Sequence, residues 1–125
     1  MEDHVQDKRT SARPEIRIRL VGETPFFGPG TARLLEEVVR CGSVYRACEA
    51  LDLSYSKGRR MLREVERQLG QPAVLCTKGG AGGGNARLTD AGRNLLAQYD
   101  CYEQDVRSYA EERFARYFPP QEALP

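Results

Sequence analysis

Two groups of residues in this 125-residue chain have types and spacings that could do chemistry. The first is a cluster of hydroxyls and cations: Ser54, Tyr55, Ser56, Lys57, Arg59, Arg60 and Arg63. The second is TKGGAGGGNARLT at 77–89, where five of thirteen residues are glycine and Lys78 and Arg87 stand on either side. Cations, hydroxyls and bare backbone amides bind phosphate. Arg or Lys presented on a helix can also bond guanine O6 and N7.

Glycine loses more conformational freedom on folding than any other residue, so a run of it needs a reason. Three are open: a phosphate cradle, a linker, or a hairpin tip that approaches something closely. A Walker loop needs G-x-x-x-x-G-K-[ST], but Lys78 precedes the glycines. G-x-G-x-x-G has no match in GGAGGGNARL, and no βαβ pattern surrounds it. A linker needs two bodies, yet only a short stretch separates two strand-like runs. The hairpin remains. Lys78 and Arg87 become phosphate contacts on its arms, and Gly80, Gly82 and Gly83 thin its tip.

Other chemistry finds little support. Cys41, Cys48, Cys76 and Cys101 form no Cys-x-x-Cys pair, and the one histidine is His4, so no metal site or cofactor is expected. The carboxylates have no paired spacing and no nucleophile–base set is visible, which speaks against an enzyme. A thiol-based sensing role for the cysteines gains nothing from their spacing. The net charge of +1 hides a strong gradient. Residues 1–53 carry eight Lys/Arg against nine Asp/Glu, residues 54–89 seven against two, and residues 90–125 four against seven. The basic middle segment is a directed patch that suits nucleic acid.

The elements that must position these groups follow from periodicity. Residues 1–14 are polar, without the apolar core of a secretory signal, and read as a disordered arm. Ile16, Ile18 and Leu20 alternate with Arg17 and Arg19, which predicts a half-buried strand, and GETPFFGPG at 22–30 reads as punctuation. Thr31 is expected to cap a helix that buries Leu34, Leu35, Val38 and Val39 and stops at Gly42. Ser43 caps a short helix with Val44, Ala47, Cys48 and Leu51 on one face. After a tight turn, Ser54 caps a longer helix with Gly58, Met61, Leu62, Val65 and Leu69 inward. Strands at 73–77 and 86–89 flank the glycines. Thr89 then caps a long helix, in which Leu95, Tyr99, Tyr102, Val106 and Tyr109 step by four and three as a dimerisation seam would. Residues 119–125 read as a disordered tail. No apolar run approaches membrane length, and a cytoplasmic location is expected.

A short capped helix, a tight turn, a basic helix and a hairpin make a winged helix-turn-helix. The stretch GSVYRACEALDLSYSKGRRMLREVERQLGQPAVLCTKGGAGGGNARLTDAGRNLLAQYD at 42–100 resembles the N-terminal DNA-binding domain of ModE, the molybdate-responsive regulators, and more distantly the LysR-type regulators. The marks are GS at 42–43, LSY at 53–55, the wing GGAGGG at 79–84 and the LT-AG--LL--Y pattern from Leu88 to Tyr99, with FFGPGTARLLEEV fitting the start of the first helix. The resemblance implies a dimeric regulator whose third helix enters the major groove and whose wing touches the backbone or minor groove. It also implies that molybdate belongs to a separate C-terminal domain, so no molybdate site is expected in a chain ending at Pro125. Arg59 and Ser56 depart from the residue types common there, so the operator sequence does not carry over.

The expected fold is therefore mainly α with a small β-hairpin wing: a disordered arm at 1–14, a winged helix-turn-helix at 15–89, a long dimerisation helix at 90–118, and a tail at 119–125. The expected function is sequence-specific, homodimeric binding of double-stranded DNA. A winged-helix protein–protein adaptor is the alternative, and the basic middle segment argues against it.

Overall fold

The computed structural model describes residues 12–77 and 85–120. The expected arm at 1–14 falls mostly outside these residues, as do Lys78, Gly80, Gly82 and Gly83 of the wing and most of the tail. The element order is β1 (Leu20–Val21), β2 (Pro25–Phe27), α1 (Pro29–Cys41), α2 (Val44–Ala50), α3 (Tyr55–Leu69), β3 (Val74–Thr77), β4 (Asn85–Leu88) and α4 (Asp90–Tyr117). The chain divides into two compact units. One is Arg17–Cys101, and the other takes in the described residues on either side of it. The division falls inside α4 rather than at its start, because its first turns belong to the core of the first unit.

The N-terminal region differs from expectation. Burial alternates along 14–20, with Ile16, Ile18 and Leu20 half-buried, but only Leu20–Val21 forms a strand. Its partner is β2, in the stretch read as punctuation; the two pair antiparallel, Leu20 opposite Phe27. Gly28 and Pro29 end that ladder by starting α1. Gly28, not Thr31, is the N-cap residue, and it has no side chain to cap with. Pro29 fits the first turn, where its missing N–H leaves no helical bond unmade. Thr31 lies two residues inside the helix and is buried. The buried stripe of α1 runs through Thr31, Ala32, Leu34, Leu35 and Val38, and one step beyond it Val39 is exposed.

The helix-turn-helix forms as its local signals dictate. Gly42 ends α1 at φ 70°, in the left-handed region. Ser43 Oγ accepts the Arg46 N–H and caps α2. Ser54 Oγ accepts the Lys57 N–H and caps α3. Between them Asp52 adopts φ 58°, a conformation that Asp tolerates better than most residues. The N–H groups of Asp52 and Leu53 bond back to the carbonyls of Glu49 and Cys48. Leu34, Leu35, Val38, Val44, Ala47, Cys48, Leu62 and Val65 form the centre of the core.

Two glycines set how closely the helices approach. A methyl at Gly58 would lie 2.2 Å from the Sγ of buried Cys48, so α3 can rest on α2 only without a side chain there. A methyl at Gly92 would lie 2.2 Å from the carbonyl oxygen of Ala73. That close approach completes a clamp. Thr89 Oγ1 donates to the Pro72 carbonyl at 2.7 Å and accepts the Gly92 N–H at 3.0 Å, while the Thr89 N–H donates to the Ala73 carbonyl at 2.9 Å. The base of the β3–β4 hairpin and the start of α4 are thereby fixed together. The hairpin is antiparallel and in register, with Val74 opposite Leu88, Leu75 opposite Arg87, Cys76 opposite Ala86 and Thr77 opposite Asn85. The Ala86 N–H donates to the Gly42 carbonyl at 2.8 Å and ties β4 to the end of α1.

Tyr99, expected in a dimer seam, is instead part of this core. It is 4 % exposed, its ring lies 4.9 Å from that of Phe27, and its hydroxyl donates to the Ile18 carbonyl at 2.7 Å. Leu95, one turn before it, is half-buried against the same core. The four-three spacing there serves the chain's own packing.

Gly to Ala inside a helix ordinarily stabilises by about 1 kcal/mol. Here Gly58→Ala should instead destabilise by about 1–3 kcal/mol in urea unfolding, as overpacking does. Cys48→Ala should recover part of that loss in the double variant. Gly92→Ala, which meets backbone, should cost more than Gly58→Ala and find no such rescue.

Candidate nucleic-acid interface

The outward face of α3 gathers the residues singled out in the sequence. Ser54, Tyr55, Ser56, Lys57, Arg60 and Arg63 are all exposed. Ser56, Arg60 and Arg63 are spaced four and three apart and share one stripe, opposite the Gly58, Leu62 and Val65 stripe that the core buries. The Ser54 cap and the free amides of the first turn place positive partial charge at the same end of the helix.

Pairing separates these cations from four arginines elsewhere in the chain. Arg40 pairs with Glu37 at 2.6 Å, Arg67 with Glu64 at 2.9 Å, Arg93 with Asp90, and Arg107 with Glu103. The same Glu37 carboxyl is held below its ordinary range, first by its hydrogen bond from Arg40. Lys57, Arg60 and Arg63 have no carboxylate partner among the described residues. The acidic residues of α3 sit further along: Glu64 is engaged by Arg67, and Glu66 lies about three turns from the N-terminal end.

Arg59 behaves differently. It is half-buried, its guanidinium carbon stands 6.0 Å from the centre of the Tyr55 ring, and its Nη1 lies 3.9 Å from Cys76 Sγ on β3. It bridges α3 to the hairpin rather than pointing outward with Arg60. Arg87 is exposed on β4, but strand alternation puts it on the hairpin face opposite Cys76. The structure therefore brings Ser56, Lys57, Arg60 and Arg63 together and leaves Arg87 apart, on the far side of the wing.

One contributor was not read from the sequence. Tyr45 on α2 is 56 % exposed, and its ring lies 6.0 Å from that of Tyr55, which is itself 47 % exposed. The two rings extend the α3 face toward α2. The signal was present: Tyr45 falls off the Val44, Ala47, Cys48 stripe, so the helix must show it to solvent.

On the distal half of α4, Tyr102 and Tyr109 are exposed and Val106 is half-buried. Arg113 lies 5.0 Å over the ring of Tyr109, and Phe114 and Phe118 stack at 4.8 Å. No group of three or more His, Cys, Asp or Glu among the described residues could hold a metal, and no helix among them is long and apolar enough to cross a membrane.

The cysteines have unlike surroundings. Cys48 is buried, and that burial raises its thiol pKa against the opposing pull of Arg59. Cys76 and Cys101 are exposed. At neutral pH, iodoacetamide should modify Cys76 and Cys101 in the folded chain and reach Cys48 only in denaturant, as read by peptide mass spectrometry. Because the folded pKa of Cys48 lies above its unfolded one, its stabilising contribution is intact below about pH 8.5 and is lost as pH rises further. Cys48→Ser should shift that alkaline limb of the stability curve.

Residues 30–93, just over half the chain, match the family described as bacterial regulatory helix-turn-helix protein, lysR family. The chain is 36 % identical over 76 residues to the molybdenum transport protein ModE of Azotobacter vinelandii, covering 61 % of this chain and 28 % of that protein. It is 35 % identical over 79 residues to the molybdenum-pterin-binding protein MopA of Rhodobacter capsulatus, covering 63 % and 30 %. The chain thus spans less than a third of the length of these relatives. Among solved structures, the DNA-binding domain of CbnR in complex with DNA is similar at a TM-score of 0.52 and 23 % identity, over 70 % of this chain and 95 % of that one. This last likeness concerns the fold.

Proposed function

The chain belongs to the lysR family of bacterial regulatory helix-turn-helix proteins, and on that premise we propose that it is a transcriptional regulator that binds double-stranded DNA in a sequence-specific manner. The observation that carries the reading is the row of cations on α3 that no carboxylate neutralises among the described residues. Unpaired charge held on a capped helix is what phosphate and base edges require.

In this reading the N-terminal half of α3 enters the major groove. Arg60 is the principal base reader, with Ser54, Tyr55, Ser56, Lys57 and Arg63 beside it on bases or phosphates. Tyr45 adds an aromatic edge. Arg59 holds the hairpin against the helix, so its effect on DNA passes through the wing. Lys78 contacts phosphates from the wing, whose glycines Gly80, Gly82 and Gly83 allow close approach, and Arg87, on the outer face of the hairpin, would reach only phosphates beyond the α3 groove. The regulator acts in the cytoplasm at the nucleoid and as a homodimer. Leu95, Tyr102, Val106 and Tyr109 are the seam proposed for the twin, with Tyr99 withdrawn into the core. Two half-sites would multiply affinity and match a palindromic operator. No step of this reading is catalytic, and none needs a cofactor. The molybdenum and pterin in the relatives' names belong to those proteins.

Selection of bound fragments from the organism's genomic DNA would supply an operator. Against it, Arg60→Ala should lose about 1–3 kcal/mol of specific binding while binding to random duplex falls less. Lys78→Ala should weaken both alike and reduce the slope of log K against log salt by about 0.9. Equal losses from Arg60→Ala on operator and random DNA would remove its reading role. Negligible affinity of the unaltered chain for any duplex at physiological salt would favour the adaptor.

A further inference from the structure

A cleft of about 270 Å³ opens where β2, the start of α1 and one flank of α3 meet. Its walls include Arg19, Phe26, Gly30, Thr31, Met61 and Glu64. Nothing in the DNA reading uses it.

The polar side of the cleft is the N-terminus of α1, and the helix leaves it uncapped. Gly28 offers no side-chain acceptor, Pro29 has no N–H, and the first turn contains no acidic residue. The first bond from an α1 amide is that of Ala32 to Gly28 at 3.0 Å, so the N–H groups of Gly30 and Thr31 have no intrahelical partner. A second, independent feature points the same way. Thr31 is only 8 % exposed, lines the cleft, and its side chain has no hydrogen bond to any described residue. Buried hydroxyls are ordinarily partnered, and an orphan costs about 1–3 kcal/mol. Arg19 is exposed, has no ion pair among the described residues, and runs its stem past Gly28: its Cγ is 3.2 Å from where a Gly28 methyl would sit.

Two amides, a hydroxyl and a guanidinium around one helix N-terminus describe an anion site. The one acid on the wall, Glu64, already accepts two bonds from Arg67, at 2.9 and 3.0 Å, which offsets its charge. The remaining walls are apolar, from Phe26 and Met61. We propose that the cleft binds a small organic carboxylate. Its head takes the Gly30 and Thr31 amides, the Thr31 hydroxyl and Arg19, and its apolar body lies on Phe26 and Met61. The volume lies just below the range of about 300–1,000 Å³ typical of drug-sized ligands, so the body is a single ring or a short chain.

The test uses the full chain labelled with ¹⁵N and three probes: benzoate, benzamide and inorganic phosphate. Benzoate should shift the Gly30 and Thr31 amides saturably, and benzamide, which lacks the charge, should not. Phosphate should bind more weakly, because it leaves the apolar walls uncovered. Thr31→Val should weaken benzoate about tenfold or more, as loss of a hydrogen bond to a charged group does. The same variant should unfold in urea at an equal or higher midpoint, since it removes an orphaned buried hydroxyl. Arg19→Gln should weaken benzoate without moving that midpoint. The proposal is overturned by unsaturable or absent shifts at Gly30 and Thr31, by benzamide or phosphate binding as tightly as benzoate, or by undiminished binding in Thr31→Val. A lowered midpoint for Thr31→Val also overturns it, because the hydroxyl would then already have a partner inside the fold.

Discussion

The outward face of α3 is aimed by one close contact on its inner side. At Gly58 the backbone of α3 comes so near to Cys48 of α2 that a methyl would overlap the sulfur. Leu34, Leu62 and Val65 close around that point. A side chain there would lift α3 from α2, and interiors packed at crystal-like density absorb such a lift poorly. The opposite face of the same helix carries Ser56, Arg60 and Arg63. The geometry of the exposed cations is thus decided by the absence of a carbon on the buried side.

The wing is held by a comparable economy. Thr89 uses one hydroxyl twice, donating to Pro72 and accepting from Gly92, and Gly92 lets α4 come down onto the Ala73 carbonyl. Arg59, leaning from α3 toward Cys76, adds a link on the other side. The helix and hairpin expected to share a DNA surface therefore share supports as well. Tyr99 extends the arrangement to the N-terminal segment through Phe27 of β2 and Ile18. A change in α4 near Tyr99 is in this sense a change in the core of the winged helix.

Much of this was legible in the sequence where a local signal governs. The Ser43 and Ser54 caps, the Gly42 stop, the inner stripe of α3 and the two arms of the hairpin follow from chemistry within a few residues of each position. The misses have two causes. PFF at 25–27 read as punctuation because the prolines and glycines around it dominate, yet a partner strand makes it β2. Thr31 looked like a cap because its type is right, but Pro29 begins the helix earlier. Tyr99 fitted a heptad because an intramolecular stripe and an intermolecular seam have the same period, and only the positions of Phe27 and Ile18 distinguish them. Arg59 and Arg60 are equivalent in composition, and one turns to the hairpin because helix geometry puts it 100° away from its neighbour. For Tyr99 and Arg59 the deciding partner lies far along the chain, whereas for Thr31 and β2 it lies within a few residues.

The central claim is that the N-terminal half of α3 lies in the DNA major groove. Affinity cleavage tests it most directly. Iron–EDTA would be tethered to Ser56→Cys in a chain whose exposed Cys76 and Cys101 are replaced by serine, and the complex formed on operator DNA selected from the genome. The account predicts strand cuts clustered within each half-site, the clusters about 10 base pairs apart or a multiple of that. Cleavage scattered without position, or none above that of free iron–EDTA, would contradict it.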